Sequence, residues 1–245
     1  MNNQISSEDL FGGEDILGNI GGLGEPHMAV ALLLDVSGSM YGEPMGSLNK
    51  ALRRFKESVC KDPLACKRVD VAIVTFGTKV LLTRDFTRVV DLDVPVLNAN
   101  GYTHMAEGIQ VAIDLVKQKT DWYHQMGVPC FKPWIFMITD GISTSSDRAM
   151  KEAADRIHME ENKGSHGRLS FWALGIGEYD SKELFQLTNR VIELKDCNFE
   201  GIFDWLSESM TAISNSHVDD KISIPNLPDN ARKAQEDRRI DEGWL

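Results

Sequence analysis

The sequence lacks several features that would assign it to a familiar functional class. Only 26 of its 245 residues are Lys or Arg, against 37 Asp or Glu, which gives a net charge of -11. Nucleic-acid binding depends largely on cationic side chains, so no nucleic-acid partner is expected. No uninterrupted apolar run approaches the roughly 20 residues that a membrane span requires. The N-terminus has no basic residue before its apolar ones, unlike a signal peptide. We therefore expect a soluble, cytoplasmic protein with no membrane partner.

Cysteine is also scarce, and its spacing fits no familiar metal or disulfide motif. The four cysteines are scattered through the chain and form no CxxC pair: Cys60, Cys66, Cys130 and Cys197. Zinc sites and the disulfide frameworks of small secreted proteins both need closer or more regular spacing. The expectation is four reduced thiols, as in a cytosolic protein.

The motifs of common enzyme classes are missing as well. No GxSxG, Walker A or GxGxxG sequence follows a predicted strand. A phosphatase of the haloacid dehalogenase type needs a second aspartate two residues after its first, yet Ser37 occupies that position after Asp35. A nucleophilic serine would need a histidine base, and only His104 lies in a predicted strand-end loop. We therefore expect that the protein is not an enzyme.

What the sequence does contain is a regular alternation of strands and helices. The apolar runs predict six strands, at Met28–Asp35, Val69–Phe76, Lys79–Thr83, Pro133–Asp140, Leu169–Ile176 and Val191–Leu194. Helical periodicity predicts helices from Pro44, at Thr103–Lys119, Ser145–Glu161 (with Ser145 as N-cap), Lys182–Leu187 and Ile202–Ile213. This order is typical of an α/β fold with a doubly wound, mostly parallel six-stranded sheet and helices on both faces. Two residues, Gly77-Thr78, separate the second and third strands, so the third should be an antiparallel edge strand.

The two ends of the chain differ in composition from the part between them. Residues 1–27 contain six glycines, five acids and no Lys or Arg, which predicts a flexible segment. Residues 28–216 should form the folded domain. Residues 217–245 read as an extended tail, with a short helix near Asn230–Arg239. Within this tail Ile222–Leu227 should run along the domain surface, and Trp244 should occupy a groove of this protein or of its partner. The alternative is a solvated tail with an incidental tryptophan.

Oxygen-bearing side chains follow two strands of the predicted sheet. Asp35 and Asp140 end the first and fourth strands, where ligands bind in doubly wound sheets. Ser37 and Ser39 follow Asp35 at alternate positions, and Thr103 opens the helix that leads towards the fourth strand. Hydroxyl and carboxylate oxygens suit Mg²⁺, with Mn²⁺ or Ca²⁺ as alternatives. The competing interpretation is that the serines only cap the helix that follows.

The stretch DVSGSM resembles the DxSxS signature of the von Willebrand factor A (VWA) family, and the likeness extends over the folded region. The family's metal-ion-dependent adhesion site uses DxSxS, a threonine from a second loop and an aspartate from a third. The resemblance therefore implies a VWA/Rossmann-like fold and one metal site, formed by Asp35, Ser37, Ser39, Thr103 and Asp140. A protein partner would complete the coordination with an Asp or Glu side chain.

Longer stretches point to a smaller group within this family. They are DVSGSMYGEP, CKRVDVAIVTFG, KPWIFMITDG and IFDWLSESM. They resemble small bacterial cytoplasmic VWA proteins of the tellurium-resistance-associated (TerY-like) group. The resemblance implies a metal-dependent interaction module of a stress-response or defence system, with a kinase or PP2C-type phosphatase from the same gene cluster as a candidate partner. The alternatives are an adaptor of an AAA+ ATPase and a structural scaffold with a non-exchanging metal.

Overall fold

The apolar runs of the sequence assemble into one seven-stranded sheet. A computed structural model describes residues 24–163, 168–177, 179–218 and 222–234. The strands are β1 (Met28–Asp35), β2 (Val69–Phe76), β3 (Val80–Arg88), β4 (Trp134–Thr139), β5 (Ser170–Ile176), β6 (Val191–Leu194) and β7 (Ala231–Lys233). Their order across the sheet is β3-β2-β1-β4-β5-β6-β7.

The centre of the sheet is parallel and both of its edges are antiparallel. Strand β1 pairs in parallel with β2 on one side and β4 on the other, and every residue of these three strands is buried. Burial on both faces explains why they are continuous apolar runs. The mostly parallel, doubly wound sheet is confirmed, as is the antiparallel edge strand β3. The predicted number of six strands is wrong, because β7 pairs antiparallel with β6 at the other edge.

Helices cover both faces of this sheet. They are α1 (Glu43–Val59), α2 (Pro63–Arg68), α3 (Met105–Gln125), α4 (Asp147–Glu161), α5 (Ser181–Leu187) and α6 (Glu200–Ser214). The buried stripes of α1 and α6 pack on one face, and those of α3, α4 and α5 pack on the other. The cap of α4 is one residue later than predicted, since the Ser146 hydroxyl, rather than that of Ser145, accepts a hydrogen bond from Ala149 N at 3.3 Å.

A disulfide joins the end of α1 to α2 and corrects the expectation of four reduced thiols. Cys60 and Cys66 form the bond, with their Cα atoms 4.4 Å apart. The Asp62 carboxylate caps α2 through Leu64 N and Ala65 N, and Pro63 opens this helix. The chain therefore turns back sharply after α1 and brings the two cysteines together. Cys130 and Cys197 are free thiols.

At the amino end of the sheet a buried carboxylate is compensated by surrounding side chains. Asp70, in β2, is 4% exposed. Its carboxylate contacts His27 Nδ1 at 3.1 Å and Lys119 Nζ at 3.5 Å, and it accepts a hydrogen bond from the Tyr123 hydroxyl. Burial alone would raise the pKa of Asp70, but these partners hold it below its usual value. The folded region therefore includes His27, one residue before the predicted boundary.

The described part of the C-terminal tail lies against the domain. As predicted, Ile222 and Leu227 pack on the hydrophobic core, in a segment that is neither helix nor strand. Trp205 Nε1 donates a hydrogen bond to the Pro225 carbonyl oxygen at 2.8 Å. The predicted helix near Asn230–Arg239 is wrong at its start, where Ala231–Lys233 is β7. Trp244 lies outside the described residues.

Deletion of residues 219–245 should destabilise the domain, because it exposes part of the core and leaves β6 without its edge partner. We expect the free energy of unfolding to fall by roughly 2–4 kcal/mol in urea denaturation. Deletion of residues 235–245 alone keeps β7 and measures the contribution of the terminal segment that contains Trp244. Unchanged stability in the longer deletion would contradict this assignment of the tail.

Among the described residues, no helix has the length and apolar character needed to cross a membrane.

Candidate metal centre

The sheet brings the two predicted aspartates to the same edge. Asp35 is the last residue of β1, and Asp140 directly follows β4. Because β1 and β4 are parallel neighbours, their carboxyl ends open onto the same side of the sheet. Asp35 is fully buried and Asp140 is half-buried. The placement of both carboxylates therefore follows from strand order alone.

A continuous series of hydrogen bonds connects four of the five predicted site residues. Ser37 N donates to Asp35 Oδ1 at 2.8 Å, and the Ser37 and Ser39 hydroxyl oxygens are 3.0 Å apart. Ser39 Oγ donates to Asp140 Oδ1 at 2.7 Å. The alternate spacing of DxSxS thus makes these side chains converge, as the sequence predicts.

The competing capping role of the two serines is not what the structure contains. Ser37 precedes a short 3₁₀ helix, Gly38–Met40, but its side chain makes no capping hydrogen bond there. The residue at the N-cap of α1 is Gly42. The two serine hydroxyls instead contact each other, and that of Ser39 donates to the second carboxylate, so both are available as oxygen ligands.

The fifth residue, Thr103, comes from a second loop. This loop contacts the first loop, which follows β1 and carries Ser37 and Ser39, and the third loop, which follows β4 and carries Asp140. Thr103 is 6% exposed, and its backbone N donates to Thr144 Oγ1 at 3.0 Å. Its carbonyl oxygen accepts from Thr144 N at 2.9 Å, which joins the second loop to the third. Gly38 N donates to the Gly101 carbonyl oxygen at 2.9 Å, which joins it to the first. The structure therefore brings Thr103 to the same edge through its backbone.

Glycine is required in the second loop at position 101. Gly101 has a φ of 80°, a left-handed conformation that L side chains rarely adopt. A Cβ atom there would lie 1.7 Å from Thr78 Oγ1, the atom that accepts a hydrogen bond from Tyr102 N at 3.0 Å. The absence of a side chain at this position lets the loop approach the connection between β2 and β3 closely.

One member of the site was not predicted from the sequence. Thr139, the last residue of β4, is fully buried, and its hydroxyl donates to Asp35 Oδ2 at 2.7 Å. Both oxygens of Asp35 are therefore held, one by Ser37 N and one by Thr139. The available signal was a hydroxyl in an otherwise apolar strand, directly before Asp140.

Neutral donors and a second carboxylate surround Asp35 at this edge of the sheet. Burial raises the pKa of Asp35 to about 6, although hydrogen bonds from Ser37 and Thr139 act in the opposite direction and Asp140 raises it further. Burial likewise raises the pKa of Asp140. Asp70 is also deeply buried, but His27 and Lys119 lower its pKa and outweigh the effect of burial. The groups acting on Asp35 are hydroxyls, an amide and a second carboxylate, none of which carries a positive charge.

The donor set fits a hard divalent cation. It consists of two carboxylates and three hydroxyls, the oxygen ligands that Mg²⁺ favours, and contains no thiolate or imidazole. Across the described ranges, no three His, Cys, Asp or Glu side chains cluster as a metal site. A site composed only of these residue types is therefore not the arrangement here, and the hydroxyls are essential to the hypothesis.

Comparison with known proteins agrees with the fold. The family model of the von Willebrand factor type A domain matches residues 30–142, a range that begins in β1 and ends just after Asp140. No curated protein matches the chain in sequence.

Solved structures similar to this chain include two bacterial pilus proteins and a mussel protein. The von Willebrand factor domain of the type V pili tip protein Mfa5 from Porphyromonas gingivalis has a TM-score of 0.57 at 11% identity, covering 79% of this chain and 98% of that one. The pilus adhesin SpaC from Lactobacillus rhamnosus GG has a TM-score of 0.58 at 13% identity, and the match covers 76% of this chain and 30% of that one. Proximal thread matrix protein 1 from the mussel byssus has a TM-score of 0.52 at 17% identity, and the match covers 86% of this chain and 49% of that one.

The chain thus spans about half the length of the mussel protein. At these identities the likeness shows the fold alone. Together with the family match, it supports one conclusion: residues 30–142 match the von Willebrand factor type A domain, and these residues include all five members of the candidate metal site.

Proposed function

We propose that this domain binds a protein partner through a divalent cation. Mg²⁺, with Mn²⁺ or Ca²⁺ as alternatives, would be held by Asp35, Ser37, Ser39, Thr103 and Asp140. The ion supplies a positive charge with an open coordination position, and an Asp or Glu of the partner would fill that position. VWA domains commonly mediate protein–protein interaction, which is the general role that the family match supports.

The observation that carries this proposal is the contrast between the two buried aspartates. Asp70 is paired with His27 and with the Lys119 ammonium, whereas Asp35 is held by neutral donors and lies close to a second carboxylate. A buried carboxylate without a cation is unfavourable, so a fold that keeps one fully buried is ready to bind a cation there.

The ligand set also explains how an acidic protein could bind an acidic group. Three of the five proposed ligands are neutral hydroxyls, so they do not reduce the charge of the ion. A bound divalent ion would be the largest local charge and would outweigh the overall net charge of -11. In this proposal Thr139 does not bind the metal, and it keeps Asp35 oriented through its hydrogen bond.

The biological setting is proposed from the TerY-like resemblance. It suggests a non-enzymatic component of a bacterial stress-response or defence system, with a kinase or PP2C-type phosphatase of the same gene cluster as the candidate partner. A cytoplasmic location remains part of this proposal. The disulfide Cys60–Cys66 argues against it, because stable disulfides are rare in reducing compartments.

The test is metal-dependent capture of a partner. Wild-type protein, immobilised in Mg²⁺, should retain proteins that are released by EDTA and that Asp35→Ala does not retain. Candidate kinases and phosphatases should then be purified and titrated individually. Identical capture by wild type and Asp35→Ala would support a scaffold that binds partners elsewhere. Capture of an AAA+ ATPase would support the adaptor role instead.

A further inference from the structure

Large apolar side chains are exposed on each of the three loops that carry the proposed ligands. Tyr41 is 81% exposed, Tyr102 is 65% exposed and Ile142 is 62% exposed. Tyr41 lies two residues after Ser39, Tyr102 directly precedes Thr103, and Ile142 lies two residues after Asp140. These are three of the four most exposed large apolar residues in the described part of the chain, and the fourth is Val96.

The three loops form one surface because hydrogen bonds join each of them to the other two. Gly38 N to the Gly101 carbonyl oxygen joins the first and second loops at 2.9 Å. Thr144 N to the Thr103 carbonyl oxygen joins the third and second at 2.9 Å, and Ser39 Oγ to Asp140 Oδ1 joins the first and third at 2.7 Å. The three exposed side chains therefore lie on loops that meet at the same polar centre.

A ring of exposed apolar groups around a buried polar centre is characteristic of a binding surface. Water solvates such side chains poorly, and the central contacts of protein interfaces are enriched in tyrosine and other large apolar residues. Tyr102 is also stacked on His104, with ring centroids 6.5 Å apart and planes within 6°. Its ring is thus partly ordered before any partner binds, which reduces the entropy lost on binding.

Acidic side chains beside this surface restrict which residues can neighbour the Asp or Glu of the partner. A cavity of about 620 Å³ is lined by Glu43, Asp196, Glu200 and Lys50, among others, and Lys50 is paired with Glu200. Glu43 lines this cavity and lies four residues after Ser39, which places the cavity beside the first of the three loops. Additional acids on the partner would be repelled by these carboxylates.

We propose that Tyr41, Tyr102 and Ile142 form an apolar rim that selects a partner segment with a single Asp or Glu flanked by apolar side chains. This inference rests on the proposed function. The acid binds the ion, and the neighbouring apolar residues pack on the rim. Apolar contact then supplies the selectivity that a bound ion alone lacks, since any exposed carboxylate could reach the ion.

The probe is a library of random peptides displayed on phage, selected on the immobilised protein in Mg²⁺ and eluted with EDTA. Eluted peptides should contain one Asp or Glu with Leu, Ile, Met, Phe or Tyr within two positions. A synthetic peptide of this type should bind Tyr41→Ser, Tyr102→Ser and Ile142→Ser at least about tenfold more weakly than wild type. The Mg²⁺ affinity of each variant, measured by calorimetry without peptide, should stay within about twofold of wild type.

The matched control is Met159→Ser. Met159 is 53% exposed, and it lies twelve residues after the start of α4, about 18 Å along the helix axis. This variant should bind the peptide as wild type does. The proposed role of the rim would be contradicted if the eluted peptides contain acids without apolar neighbours, or if they bind the three rim variants as wild type does. Either result would leave the metal-dependent function intact. Failure to recover any EDTA-eluted peptide would overturn both.

Discussion

Replacing Asp140 with alanine should lower the affinity for Mg²⁺ by a factor of about 100 or more. Asp140 is one of only two carboxylates in the proposed ligand set, and it is also the group that holds Ser39 through a 2.7 Å hydrogen bond. The substitution therefore removes one charged ligand and releases a neutral one. Loss of a group that merely orients a ligand typically reduces metal affinity by 10- to 100-fold, so loss of a ligand should exceed that range. Titration calorimetry measures the effect directly.

The control for this experiment removes the same charge at another position. Asp155 is exposed on α4, so Asp155→Ala lowers the protein's negative charge equally and leaves the site unchanged. This variant should bind Mg²⁺ as wild type does. Equal affinity in wild type and Asp140→Ala would remove the metal hypothesis, whereas an equal loss in both variants would show a non-specific charge effect.

The second large effect should be on stability, where Asp35→Asn is expected to stabilise the metal-free protein at neutral pH. Asparagine has the size of aspartate and can still accept from Ser37 N, while its amide can donate to the Thr139 hydroxyl. The buried negative charge is removed, so the free energy of unfolding in EDTA should increase by roughly 2–3 kcal/mol at pH 7. Urea denaturation of the two proteins measures the difference.

The pH dependence of this effect follows from the direction of the shift. The pKa of Asp35 is about 6 in the folded protein against 3.8 for an unperturbed aspartate. A raised folded-state pKa contributes stability below the unfolded value, and that stability is lost as pH rises through 6. The advantage of Asp35→Asn should therefore be largest at pH 7 and should disappear near pH 4. An advantage of equal size at both pH values would contradict the burial of an ionised group.

Addition of Mg²⁺ should reverse the order of stability. Ligand at 1,000 times its dissociation constant stabilises a folded protein by about 4.1 kcal/mol, which exceeds the advantage of Asp35→Asn, and this gain should occur in wild type but not in the variant. A variant that gains as much as wild type would show that Asp35 does not contribute to the metal site.

Much of the fold can be predicted from periodicity, because burial on two faces leaves a clear pattern. The continuous apolar runs of β1 and β4 predict central strands, and the tight Gly77-Thr78 connection predicts an antiparallel β3. Strand β7 has no such pattern. It is three residues long with only Ala231 buried, and it is a strand because β6 offers an open edge. Its existence is a tertiary effect that local sequence does not encode.

The candidate site is predictable to the extent that it depends on strand ends and spacing. Asp35 and Asp140 end neighbouring strands, and the DxSxS spacing predicts the convergence of the serines. The role of Thr139 depends on which way its hydroxyl faces, which only the pairing of β1 with β4 determines. The disulfide was missed for a similar reason. A separation of six residues implies no contact until Asp62 and Pro63 turn the chain between Cys60 and Cys66.

The contact of His27 with Asp70 has a practical consequence for how the protein can be attached to a surface. His27 enters the fold at the amino end of β1, and the eight residues of that strand separate it from Asp35 by about 26 Å. A linker joined directly to Gly24 would therefore begin on the side of the domain opposite the three loops. Biosensor immobilisation through this end should present the loops to the solution. Attachment through a lysine near the loops, such as Lys50, would obstruct them.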